Sequence, residues 1–250
     1  MNLNKIINFL NSYLAIEKFK DYAVNGIQIE NNGIIEKIYS AVDTNLFSIE
    51  NCGLNSLLLT HHGLFWGKPV TITGLYYNKF KLFISKNVAL YSCHLPLDAH
   101  PEIGNNLLLM KELSISKTGE FGLSNSNYIG LKGEFLERIS INELVQKFSS
   151  IFSVKPVVLS FGKQEELKTV CVVSGSPGRD ISDEFLKSGI DILITGEANH
   201  ELYNFAEDNS LNILCGGHYV TEILGIKALG ELVSKEFFLP FEFISHPTGL

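Results

Sequence analysis

Seven histidines occur in the 250 residues, and four of them sit where a strand would hand over to a turn. His61 and His62 follow the apolar run SLLLT and precede Gly63. His94 lies at the end of the next run, VALYSCHL, with Asp98 four residues on. His218 comes after Gly216 and Gly217 behind a third run, LNILC, and opens a helical stretch with Glu222 at i+4. Imidazole nitrogens and carboxylate oxygens together suit Zn, Fe, Mn, Co or Ni, and the lack of cysteine at these turns argues against a closed structural zinc knot. The i, i+4 spacing puts His218 and Glu222 on one helix face. His61 and His62 would point opposite ways in a regular strand. At a turn they can reach two neighbouring ions, and a carboxylate can bridge such a pair at roughly 3.5–4 Å. His100, His200 and His246 lie outside this pattern and read as ordinary surface or core histidines.

These side chains need elements to carry them. Apolar runs at 38–45, 56–62, 88–95, 169–176, 191–198 and 211–218 read as buried strands, and helical patterns at 2–14, about 102–113, 141–152, 180–188 and 219–236 lie between or beside them. Unbroken apolar strands separated by helix-length segments indicate βαβ units, so the fold class is α/β. In open α/β sheets ligands gather at the carboxyl ends of strands, so the three histidine-bearing junctions can converge. AVDTN followed by GLNSLLLTHHG resembles VVSGSPGRD followed by GIDILITGEAN. That similarity fits two related lobes or a chance likeness between two βαβ units. The stretch 114–135, rich in Gly, Ser and Asn, is expected to be the crossing between lobes.

Composition narrows the function classes. With 45% hydrophobic and 19% charged residues the chain is globular rather than disordered. Net charge is −7, and only Arg138 and Arg179 among the 20 basic residues are arginine. Without a clustered basic stripe, a nucleic-acid partner is disfavoured. Cys52, Cys93, Cys171 and Cys215 show no CxxC spacing, against both a disulfide framework and a four-cysteine zinc site. Leu3, Ile6, Ile7, Leu10 and Leu14 fall at helical spacing, so the first residues read as an amphipathic helix and not as a secretory leader. No apolar stretch approaches the roughly 18–20 residues that span a bilayer. A soluble, cytoplasmic protein with no membrane partner is expected.

Several ordered segments carry a family resemblance. They are DYAVNGIQIE (21–30), SAVDTN (40–45), LLLTHHGLFW (57–66), YSCHLPLDAHPEIGNN (91–106) and CGGHYVTEILGIKALGELV (215–233). Together they resemble the GTP cyclohydrolase 1 type 2 homologues, also called NGG-one-interacting-factor-three-like proteins. The resemblance implies two interlaced, related α/β domains, residues 1–122 with 213–250 carrying the metal site and residues 123–212 forming the second. It implies a toroidal homo-hexamer and two divalent metal ions per chain. On its pattern the ligands are His61, His62, Asp98, His218 and Glu222, with Glu222 the bridge. His94 falls beside the ions as a supporting residue, a weak ligand or the acid–base group.

The implied activity is metal-dependent hydrolysis of a small molecule, with GTP opened at guanine C8 as the substrate the family name suggests. The sequence has no G-x-x-x-x-G-K-[ST] loop and few arginines, so Lys68 or Lys132 would have to meet a triphosphate. The alternative is a non-enzymatic metal-binding ring that recruits partners, and an open coordination position separates the two. Asn25, Gly26 and Gln28 either line the site or make a turn. Trp66 and Phe65 either stack on a purine or pack in a core or subunit interface. Glu197 and His200, in GEANHE, either face an internal cavity or serve the surface.

Overall fold

The computed structural model describes residues 1–250. Helix α1 (Leu3–Leu14) starts where the Asn2 side chain accepts the Lys5 amide, and it buries the expected stripe of Leu3, Ile6, Ile7, Leu10 and Leu14. Then come β1 (Gly26–Ile29), β2 (Lys37–Asp43), α2 (Leu46–Glu50), β3 (Ser56–His62), α3 (Gly74–Lys86), β4 (Ala89–Ser92) and the short turn α4 (Leu95–Asp98). The chain continues with α5 (Asn105–Glu112), β5 (Ile115–Ser124), β6 (Asn127–Ile139), α6 (Ile141–Phe152), β7 (Val157–Ser160) and β8 (Leu167–Val173). It ends with α7 (Gly178–Ser188), β9 (Ile192–Thr195), α8 (His200–Asp208), β10 (Asn212–Cys215), α9 (His218–Phe237) and β11 (Phe241–Phe243). No helix is long and apolar enough to cross a membrane. Internal packing divides the chain into two compact units, Met1–Leu97 with Gly225–His246 and Asp98–Leu224 with Pro247–Leu250.

The first unit holds a sheet of order β1-β4-β3-β2-β11, parallel except for β1. Successive side chains of a strand face opposite ways. Tyr39, Ala41, Leu58 and Leu90 therefore share one face, where Ile49 of α2 and Phe83 of α3 cover them. Tyr91 points the other way, and its hydroxyl donates to Asn11 Oδ1 of α1 at 2.9 Å.

The second unit holds a sheet of order β5-β6-β8-β9-β10-β7, in which β8, β9 and β10 are parallel. Val170, Val172, Ile192, Ile194 and Leu214 pack against Leu109 and Met110 of α5 and Leu144 and Phe148 of α6. Cys171, Val173, Leu193, Ile213 and Cys215 pack on the opposite face against Ile181 and Phe185 of α7 and Leu202 and Ala206 of α8. Burial on both faces is why these strands are continuous apolar runs, each large side chain contributing about 1.5–3 kcal/mol.

The stretch expected to be a crossing is instead a long hairpin. Strands β5 and β6 pair antiparallel from Ile115↔Phe135 to Ser124↔Asn127. Asn125 and Ser126, with φ of 47° and 75°, form the two-residue turn whose twist suits a hairpin. Glycine and serine hid the alternation there, but Phe121, Leu131 and Phe135 are buried. The domain boundary expected at 122/123 thus falls inside β5, and residues 98–122 and 213–224 belong to the second unit. Helices α3 and α8 were not expected from the sequence. Each buries few side chains, Phe83 in α3 and Leu202 and Ala206 in α8.

One half-buried carboxylate ties the β8–β9 pair together. Asp191 Oδ2 accepts the Lys168 and Thr169 amides, each at 2.8 Å. Burial alone would raise the Asp191 pKa, but these bonds outweigh it and hold the group below its ordinary 3.8. A depressed pKa contributes stability that is present above the ordinary value and lost as pH falls through the native one. Asp191→Asn is expected to lower stability by about 1 kcal/mol at neutral pH. In urea unfolding that difference should shrink as the pH drops below 3.8. A difference that grows on acidification would contradict this account.

Candidate metal centre

In the first unit, three adjacent parallel strands end side by side. Strand β2 ends on Asp43, β3 ends on His61 and His62, and His94 follows β4 by two residues. The donor atoms of His61, His62 and His94 lie within 4.8 Å of one another. Each ring is held through Nδ1. His61 Nδ1 meets the Cys93 carbonyl at 2.9 Å, His62 Nδ1 meets Asp43 Oδ1 at 2.8 Å, and His94 Nδ1 meets Asp21 Oδ1 at 3.0 Å. A carbonyl or an ionised carboxylate can only accept, so the proton is on Nδ1 and the lone pair is on Nε2.

Asp21 is built for this task. Its carboxylate also accepts the Ala23 and Leu95 amides and the Asn25 side-chain NH₂. Burial opposes its charge, but the bonds from His94, Asn25 and Ala23 prevail and bring its pKa down to about 2. Asn25 Oδ1 in turn accepts the His94 amide at 2.7 Å, so Asn25 serves the site and not merely a turn. Gln28 Oε1 accepts the Leu64 amide at 2.7 Å. A Cβ on residue 63 would strike the Gln28 amide, which explains Gly63 after the histidine pair. Phe65 packs into the core beside Phe80. Trp66 instead stands against the histidines, 5.1 Å from the His94 ring and 5.7 Å from His62, with Nε1 donating to the Gly63 carbonyl.

The second unit repeats the arrangement with different donors. Strands β8, β9 and β10 end side by side and lead into Ser174 and Gly175, Gly196 and Glu197, and His218. His218 Nδ1 meets Glu197 Oε1 at 2.6 Å, and its Nε2 lies 3.1 Å from Glu222 Oε2 one turn along α9. Burial disfavours a charged His218, yet Glu222 and Glu197 outweigh it and raise its pKa to about 9. A proton there serves as the cation between two carboxylates. Asp98 Oδ1 accepts from Asn105 Nδ2 and from Ser174 Oγ, each at 2.9 Å, which fixes the carboxylate. Gly175 has φ +65°, and a Cβ on it would run into Glu222 Oε1. Ser174 and Gly175 therefore gather Asp98, His218 and Glu222 at one strand end.

The other histidines differ in the way chemistry demands. His100 Nδ1 accepts the Glu102 and Ile103 amides, so its proton is on Nε2 and the ring works as a turn cap. His246 stacks on Phe47 with centroids 4.2 Å apart, and His200 is exposed at the start of α8. Lys68 lies two residues beyond Trp66, and Lys132 is on β6. The four histidines protonated at Nδ1, with buried Asp98 and Glu222, form a nitrogen and oxygen donor set that fits divalent transition metals. The donors are divided, His61, His62 and His94 in the first unit and Asp98, His218 and Glu222 in the second, where the sequence reading assigned the metal site to the first domain. Asp21, Asp43, Ser174, Gly175 and Asn105 had not been singled out. Asp43 closing the AVD run and Asp21 opening the DYAVNG segment were the available signals.

Comparison with known proteins agrees along the whole chain. The chain is 39% identical over 253 residues to a GTP cyclohydrolase 1 type 2 homolog of Pyrococcus abyssi, covering 100% of both. It is 33% identical to the one from Deinococcus radiodurans, covering 99% of this chain and 94% of that protein. Among solved structures, protein ybgI, of unknown function, matches with TM-score 0.91 at 29% identity over 100% of both chains. TTHA1606 from Thermus thermophilus matches with TM-score 0.86 at 32% identity, again over 100% of both. The profile of the Duf34/NIF3 (NGG1p interacting factor 3) family spans residues 1–248, and the chain belongs to that family.

Proposed function

We propose that the chain is a dinuclear metal-dependent hydrolase of the GTP cyclohydrolase 1 type 2 kind, acting on a small molecule, with His61, His62, Asp98, His218 and Glu222 as ligands. One observation carries this reading. Four histidines from two sheets are all fixed through Nδ1 by oxygen acceptors, so each directs Nε2 at the site, His218 giving up its second proton when a metal takes its place. Packing histidines have no reason to share a tautomer, and His100 has the opposite one.

When bound, two divalent ions would supply activated water near neutral pH and charge to polarise the bond under attack. The protein residues orient everything else. Glu222, with two oxygens, would bridge the ions and set their spacing. Asp43 and Glu197 hold His62 and His218 in the binding tautomer. Asp21 keeps the His94 proton on Nδ1, so Nε2 of His94 can take a proton from water or return one to the leaving group. The names of the relatives support the cyclohydrolase class and make GTP the first substrate to try. A toroidal homo-hexamer is part of the proposal, and exposed Tyr22, Ile72, Leu75 and Tyr77 in the first unit support self-association.

Metal analysis after saturation and removal of excess ion should find about two equivalents per chain. Glu222→Gln preserves the side-chain shape and should lower occupancy at both positions. Full dinuclear occupancy in that variant overturns the bridge. Turnover of GTP, phosphoesters and cyclic amides should follow metal content. A fully loaded protein that hydrolyses none of them overturns the enzyme in favour of the metal-binding ring.

A further inference from the structure

Helix α3 brings a cation to the strand ends of the first unit. It connects β3 to β4, which are parallel, so the chain must run back along the sheet and α3 starts near the carboxyl ends of the strands. Phe83 is fully buried in the core beside Leu58 and Leu90, and Lys79 lies one turn earlier on the same helix face. From there the half-buried Lys79 ammonium donates to the Thr44 carbonyl at 2.7 Å. Burial pushes the amine below its ordinary 10.5, and the negative charge of Asp43 partly offsets that. Residues 43 and 44, at the end of β2, are the pair that grips His62. Asp43 Oδ1 accepts from His62 Nδ1 at 2.8 Å. The Thr44 amide and hydroxyl both donate to the His62 carbonyl, at 3.0 and 2.8 Å. The Asp43 carbonyl is tied to α2 by the Ser48 hydroxyl at 2.8 Å, and Lys79 ties the Thr44 carbonyl to α3.

We propose that Lys79 is a positioning residue of the metal centre: its ammonium, on the Thr44 carbonyl, fixes the end of β2 so that Asp43 and Thr44 hold the His62 ring and backbone in place for an ion. The inference rests on the reading of His62 as a ligand. Position and charge act in opposite directions here. The charge of the ammonium by itself repels a bound cation, whereas the hold on His62 favours one. Removing a group that orients a metal ligand costs about 10–100-fold in affinity, and Lys79 acts through one further link, so a loss of about tenfold is expected.

The test uses the full-length protein with Lys79→Met, which keeps an unbranched stem and removes the ammonium, and Lys79→Arg, which restores a charged donor. In metal-free protein, isotope-labelled at its histidine nitrogens, the Nδ1–H signal of His62 should exchange with solvent about tenfold faster in Lys79→Met than in wild type. The Nδ1–H signal of His94 is held by Asp21 and should be unchanged, which separates loss of this hold from general loosening. Zn²⁺ affinity, measured by competition with a chelator, should fall about tenfold in Lys79→Met. Lys79→Arg should recover most of both. Unchanged exchange at His62, or equal loss of protection at His94, overturns the proposal. Tighter Zn²⁺ binding by Lys79→Met would show that charge outweighs position, and overturns it too. Faster exchange at His62 alone, with Zn²⁺ affinity equal to wild type, overturns His62 as a ligand and leaves the hold of Lys79 on the strand end standing.

Discussion

Asparagine in place of His61 is expected to remove metal from the protein while leaving it folded. His61 is fully buried on β3, and its Nδ1–H donates to the Cys93 carbonyl at 2.9 Å. The Asn side-chain NH₂ sits where Nδ1 sits, so the variant keeps that bond and loses only Nε2. Alanine removes both and leaves a cavity and an unpaired carbonyl, at about 1–3 kcal/mol of stability. Losing an organising group around a metal costs 10–100-fold in affinity, and loss of a ligand should cost at least about 100-fold. His246→Ala should bind metal like wild type, since that ring stacks on Phe47 and is not among the proposed ligands. His100→Ala should lose stability and no metal, because its Nδ1 caps a turn. If His61→Asn and His246→Ala retain metal equally, the metal centre is misassigned at its root.

Gly175→Ala should also cost metal affinity, although glycine bears no donor. At φ +65° an alanine costs about 1 kcal/mol of backbone strain. Its Cβ would also occupy the position of Glu222 Oε1 and press toward His218 Nε2, 3.3 Å away. The carboxylate must swing aside, so affinity at both metal positions should fall at least about tenfold. Gly178 is the matched control, with φ +63° and nothing within 4 Å of an added Cβ. Gly178→Ala should show the strain alone, as a small drop in stability with metal affinity intact. Trp66, the one tryptophan in the chain, touches the His62 and His94 rings, so its fluorescence can follow the titrations. Equal loss of metal affinity in both glycine variants would show that backbone strain, and not the Glu222 contact, is responsible.

How far the chain could be read without its tertiary structure differs from element to element. Strands β2, β3, β8, β9 and β10 were legible because neighbours cover both their faces, which forces unbroken apolar runs. Helices α1, α6 and α9 announced themselves by apolar spacing. The histidines and carboxylates at strand ends were legible as donors because type and spacing alone state that chemistry.

What holds those donors was not legible, since each support comes from far along the chain. Asp21 is 73 residues from His94, Cys93 is 32 from His61, Glu197 is 21 from His218 and Asp43 is 19 from His62. No local pattern encodes such pairs, and the tautomer of each imidazole is set by them. The hairpin of β5 and β6 escaped for a related reason. Its glycines and serines carry little hydrophobic signal, and only pairing across the sheet, β6 on β8, makes them strands. The composition and order of side chains therefore determined which atoms could bind a metal and which runs would be buried. The tertiary structure alone decided which nitrogen each histidine presents, which carboxylates steady the rings, and which unit each donor joins, because those are properties of contacts between residues distant in sequence.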